Sequence, residues 1–143
     1  MLERTNISNE KTEAYEATHN RVGSGQEAFI MCIGEPSAGL RALYEVHSVS
    51  CAVFITAFNP FGGHQSDTAN DAVHASLQEA LIDLTDLIIE GAGADPTGAW
   101  PPEMSYLALG IDEDAAAHLG RTFHQDAVVW AGSDAVPKLL FLH

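Results

Sequence analysis

The chain has 143 residues, 46% of them hydrophobic, with six Lys and Arg set against twenty Asp and Glu for a net charge of -14. That length suits one domain with a core of its own, and the hydrophobic share excludes wholesale disorder. An excess of acid this large is repelled by phosphate backbones, so direct nucleic-acid binding is set aside, and a macromolecular partner is expected to be a protein with a basic surface.

No apolar run approaches the roughly 20 residues needed to span a bilayer, so no membrane association is expected. The opening MLERTNISNEKTEAYE is too polar for a signal peptide, and a cytoplasmic protein is expected. Cys32 and Cys51 each lie inside an apolar run, FIMCIG and CAVFITAF, where a thiol behaves as a small buried hydrophobe. Both are expected to be free and inert. Neither belongs to a C-x-x-C pair, so a structural zinc site has no support.

In chain order, residues 1–10 read as a flexible N-terminus and residues 11–143 as a single domain. Lys11 to His19 is a short helix or a lead into a strand. Asn20 to Val22 and Phe29 to Ile33 flank Gly23, Ser24 and Gly25, which is the pattern of a hairpin. Pro36 or Ser37 then opens a helix whose Leu40, Leu43, Tyr44 and His47 share one face. Cys51 to Phe58 is almost continuously apolar, as expected of a central strand covered on both sides, and Asn59-Pro60 stops it. Ser66 or Asp67 is the N-cap of a helix reaching about Asp83.

Asp86 to Glu90 is a further strand, and Gly91 to Glu103 is the longest loop, rich in Gly and Pro. Met104 to Ile111 is a strand, and Asp112 caps a helix carrying Ala115, Leu119 and Phe123. The segments AVVWAG and VPKLLFLH close the chain as a hairpin. Strands interleaved with helices predict a single-domain α+β fold: one layered mixed β-sheet packed with about three helices.

Seven segments, taken together, carry a resemblance. They are AYEATHNRV (Ala14 to Val22), IGEPSAGLRAL (Ile33 to Leu43), FITAFNP (Phe54 to Pro60), SDTAN (Ser66 to Asn70), GADPTGAWPPE (Gly93 to Glu103), LALGI (Leu107 to Ile111) and FHQDAVVW (Phe123 to Trp130). In that order they resemble the bacterial family known as domain of unknown function 3293, from about residue 14 to the end. The resemblance implies a single cytosolic bacterial domain. It brings no reaction, cofactor or catalytic residue with it.

The candidate site is the polar knot between the Cys51–Phe58 run and the helix after it. Asn59, Gln65, Ser66, Asp67 and Asn70 sit where a strand ends and a helix begins, a place that ligands favour and where helix-end amides attract anions. The structural alternative is that these residues only turn the chain and cap the helix. Trp100 could offer a stacking surface or pin its loop to the body. Gln125 could join a shared pocket or fasten two loops. Gly62-Gly63 is not followed by G-K-[ST], Ser66 lacks the G-x-S-x-G context, and no His pair has the i, i+4 spacing of a zincin helix. His118 and His124 stand six apart, His64 and His74 ten apart. No metal, no cofactor and no identifiable catalytic residue is therefore expected.

The leading expectation is a non-catalytic binding or regulatory module for a protein partner or a small polar ligand. One alternative is an enzyme of unknown reaction built from Asn59, Glu90, His124 and Gln125. Another is an acidic mimic of nucleic acid that inhibits a basic protein.

Overall fold

The structure, a computed structural model, describes residues 9–60 and 65–142. The expected flexible N-terminus falls mostly outside these residues, as do Gly62, Gly63 and His64. Asn9 and Glu10 open the first helix, α1 (Asn9–Ala17), which runs almost directly into β1 (His19–Val22). β1 pairs with β2 (Phe29–Met31) in the expected hairpin.

Three helices start on the side-chain caps that the sequence marks. Ser37 accepts the Leu40 N–H at 3.1 Å and opens α2 (Ala38–His47). Ser66 accepts the Ala69 N–H at 3.1 Å and opens α3 (Asp67–Ile82), and Asp112 accepts the Ala115 N–H at 2.8 Å and opens α4 (Glu113–Thr122). In each, a short oxygen acceptor satisfies one of the amide donors that a first helical turn leaves without a partner.

The remaining strands are β3 (Ala52–Ile55), β4 (Ile88–Ala94), β5 (Glu103–Leu109), β6 (Ala127–Ala131) and β7 (Lys138–Phe141). They join the first hairpin in one seven-stranded sheet of order β2-β1-β4-β5-β3-β6-β7. The single-domain α+β architecture is as expected. The sheet differs from a mixed one in that every described pairing is antiparallel. The physical reason lies in where the helical crossovers land. α3 joins β3 to β4 and α4 joins β5 to β6, and each of these two crossovers skips one strand position, which an oppositely directed strand fills. From β3 to β6 this is the β-α-β-β-α-β arrangement called ferredoxin-like.

Alternation along the strands separates two cores. Val53, Ile55, Tyr106, Ala108 and Val128 face Leu77 and Leu81 of α3 and Ala116 and Leu119 of α4. Ala52, Phe54, Leu107, Leu109, Val22 and Ala131 face the other way, towards Leu40 and Tyr44 of α2. β3 is thus buried along its whole length, which is why its sequence is continuously apolar. Cys32 and Cys51 are free, and they flank β2 and β3, which are not neighbours in the sheet.

One expected loop is shorter than the sequence suggests. Gly91 to Ala94 belong to β4, not to the loop, because β1 and β5 pair with them from both sides. A side chain at Gly91 would place its Cβ 2.2 Å from the Arg21 carbonyl oxygen, so the close approach of β1 requires glycine there.

Candidate functional site: a cavity under the first helix

α2 covers only one end of its sheet face. At the other end β3 leaves the sheet, β5 and β6 enter it, and the face carries small or polar residues: Asn20, Gly93, Ser105 and Ala127. α1 and the segment Trp100-Pro101-Pro102 stand over this end and leave a cavity of about 430 Å³. Phe54, Phe58 and Val129 add apolar wall, and Tyr15 and Thr18 line it from the side of α1.

The polar knot forms one wall. Asn59 adopts a left-handed φ of 50°, a conformation that Asn tolerates better than most side chains. Its backbone N–H donates to Asn70 Oδ1 at 2.9 Å, and its Nδ2 donates to Glu103 Oε2 at 2.9 Å. Its Oδ1 accepts from the Gln65 N–H and from Asn70 Nδ2, both at 3.2 Å. Gln65 Nε2 donates to Asn70 Oδ1 at 2.8 Å, which closes the cluster. These amides hold one another, and through Glu103 they tie the end of β3 to the start of β5.

Gln125, 8% exposed, binds the same corner from the turn between α4 and β6: its Nε2 donates to the carbonyls of Phe58 and Phe123, both at 3.2 Å. Asn59, Asp67, Asn70, Trp100 and Gln125 therefore all line the cavity. Ser66 is not among its lining residues, and its hydroxyl is engaged as the cap of α3. Glu90 lies elsewhere, in a groove with Arg21, Ile88 and Met104, and His124 is not among the residues that line the cavity.

Two participants were not singled out from the sequence. Tyr15 Oη donates to Asp126 Oδ2 at 3.4 Å, a long bond for a hydroxyl. Burial above all, then the charges of Asp126 and Glu103 and that hydrogen bond, pushes its phenol well above the usual range, so it stays protonated and remains a donor. Glu103 is the other, and the signal for it lay in the sequence as a polar residue beside the Pro-Pro, whereas Gln65 joins the knot as its place in the cluster suggested.

The Trp100 loop is shaped by Asp95. Its carboxylate accepts from the Thr97 N–H at 3.0 Å, the Thr97 hydroxyl at 2.8 Å and the Ala99 N–H at 2.7 Å. These bonds, the Thr97 amide first, hold the acid below its ordinary pKa. The turn that delivers Trp100 to the cavity is thus built in by one side chain.

Chemically, the described lining residues offer carboxamides, hydroxyls, aromatic rings and two carboxylates, Asp67 and Glu103, and no Lys, Arg or His among them. Such a surface suits a neutral or cationic polar molecule better than an anion. Among the described residues no cluster of His, Cys, Asp and Glu could hold a metal ion, and no helix is long and apolar enough to cross a membrane.

Compared with known proteins, the chain matches the family described as Protein of unknown function (DUF3293) over residues 55–128. That span runs from the end of β3 to the middle of β6 and contains the knot, the Trp100 loop and Gln125. No curated protein and no solved structure matches the chain.

Proposed function

The chain belongs to the DUF3293 family, and from its site we propose that it is a binding domain for a small, polar, non-anionic ligand held in the cavity under α1. The observation that carries this reading is the cavity itself. At about 430 Å³ it falls within the size of small-molecule sites, and it mixes aromatic walls with a few converging amides as such sites do. Binding is favoured over catalysis because Glu90 and His124, the acid-base candidates of the sequence, do not line it. The same proposal places the domain in the bacterial cytosol, where its free cysteines would stay reduced.

The test is a thermal-shift screen of neutral, cationic and anionic metabolites on the wild type, Gly93→Ala and Trp100→Ala. A ligand at ~100 times its dissociation constant adds about 2.7 kcal/mol of stability. The expected result is a shift with a neutral or cationic compound that both variants lose. Stabilisation by anions alone would contradict the assigned ligand class. No shift with any compound would overturn the small-ligand reading in favour of a protein partner with a basic surface.

A further inference from the structure

α1 is joined to the rest of the protein differently from the other helices. None of its described side chains, Glu13 to Ala17, belongs to either hydrophobic core, whereas α2, α3 and α4 each contribute buried residues. Of Glu13 to Ala17 every residue is exposed except Tyr15. The described part of the helix thus rests on one aromatic side chain, whose hydroxyl reaches Asp126 at 3.4 Å. Its composition agrees: NEKTEAYEA has no apolar stripe with which to bind a sheet.

The junction with the sheet is equally short. Thr18 alone separates α1 from β1. Its hydroxyl donates to the Ala14 carbonyl at 2.7 Å and its N–H donates to the Tyr15 carbonyl at 3.3 Å. Both bonds finish the helix without tying it to another element, while Asn20, two residues on, is fixed by its Nδ2 donating to the Met31 carbonyl at 3.1 Å. Rigid sheet therefore begins immediately after a helix whose described side chains reach another element through the Tyr15 hydroxyl. Ala14, Tyr15 and Thr18 nonetheless line the cavity.

We infer that α1 is a lid over the cavity, hinged at Thr18 and latched by the Tyr15 hydroxyl on Asp126. Opening it exposes a route to the Asn59 wall without disturbing either core. A helix whose described side chains add nothing to either core loses little through them on leaving, so opening is expected as a local event, separate from global unfolding.

Hydrogen exchange tests this without any ligand, so the lid and the binding reading can fail separately. Amides of residues 13–17 are expected to exchange at least about 10-fold faster than those in the middle of α3. Tyr15→Phe keeps the ring and removes the latch, and should speed exchange in α1 a further 2- to 10-fold, roughly the range of one hydrogen bond, with α2 and α3 unchanged. As a second variant, Glu13→Pro breaks the helix at an exposed position and should leave the global melting midpoint nearly where it was. Exchange of α1 only through global unfolding, or a Glu13→Pro midpoint that falls as far as that of a core variant, would overturn the lid.

Discussion

On the sheet face shared by Phe54 and Leu107, α2 sets Leu40 and Tyr44 directly on the apolar core at one end, while α1 and the Trp100 loop border a cavity at the other. The strands are the same and the alternation is unbroken, so the difference lies in the side chains along them and in the covering helix. At the α2 end the face carries Ala52, Leu109 and Ala131, and the Tyr44 hydroxyl donates to the Ala131 carbonyl at 3.1 Å. At the cavity end it carries Asn20, Gly93, Ser105 and Ala127, and the helix above has one aromatic anchor. A sheet can thus serve as core and as the floor of a site along one face, according to whether its covering helix has an apolar stripe to match.

The sharpest contrast is between core truncation and cavity filling. Leu40→Ala, at a residue with 0% exposure under α2, should destabilise by about 2–5 kcal/mol in chemical denaturation. A comparably small loss there would mean that the α2 end is as loosely covered as the cavity end.

Next in size is the knot. Asn59→Ala removes the side-chain bonds to Glu103, Gln65 and Asn70 and places alanine at a φ of 50°, and should cost roughly 1–3 kcal/mol. Asn59→Gly keeps the backbone freedom and should recover part of that loss. Equal stability of the two variants would show that the hydrogen bonds, not the left-handed backbone, carry the effect.

Gly93→Ala should change stability by less than about 0.5 kcal/mol, because its Cβ would meet only Thr18 Cγ2, at an ordinary 3.5 Å. Gly91→Ala, two residues earlier on the same strand, must push against the Arg21 backbone and should be far worse. Similar losses for the pair would deny the open space above Gly93.

The smallest effect lies on the opposite face. His74 stacks on Tyr106 with ring centroids 4.4 Å apart, and its buried Nδ1 has no hydrogen-bond partner among the described residues. Burial lowers its pKa below the ordinary 6.5, partly countered by Glu90 and Asp71. The unfolded chain then binds more protons at that histidine than the folded one, so its contribution to stability is present above 6.5 and lost as the pH falls below it. Denaturation at descending pH should show this loss, and His74→Gln should remove it; an unchanged slope in the variant would assign the loss to other groups.

Much of the architecture was legible because its signals are local. Ser37, Ser66 and Asp112 each stand before an amphipathic run, and each accepts the N–H of the third residue on. The knot residues Asn59 and Asn70 were legible as a cluster for the same reason, being polar residues released between an apolar strand and a helix. The Gly91–Ala94 extension of β4 was not legible, because small residues acquire strand structure there only from partners on both sides. Tyr15 and Glu103 were missed because each matters through a residue far along the chain, Tyr15 through Asp126 and Glu103 through Asn59.

By itself, then, the sequence determined α2, α3 and α4, the first hairpin turn and the central strand, since caps, periodicity and apolar runs act over a few residues. Strand order, the antiparallel direction of every described pairing and the convergence of Asn59 and Gln125 on one cavity were decided by the tertiary structure. These depend on which strand fills the position skipped by each crossover, and that choice is a matter of packing both faces at once.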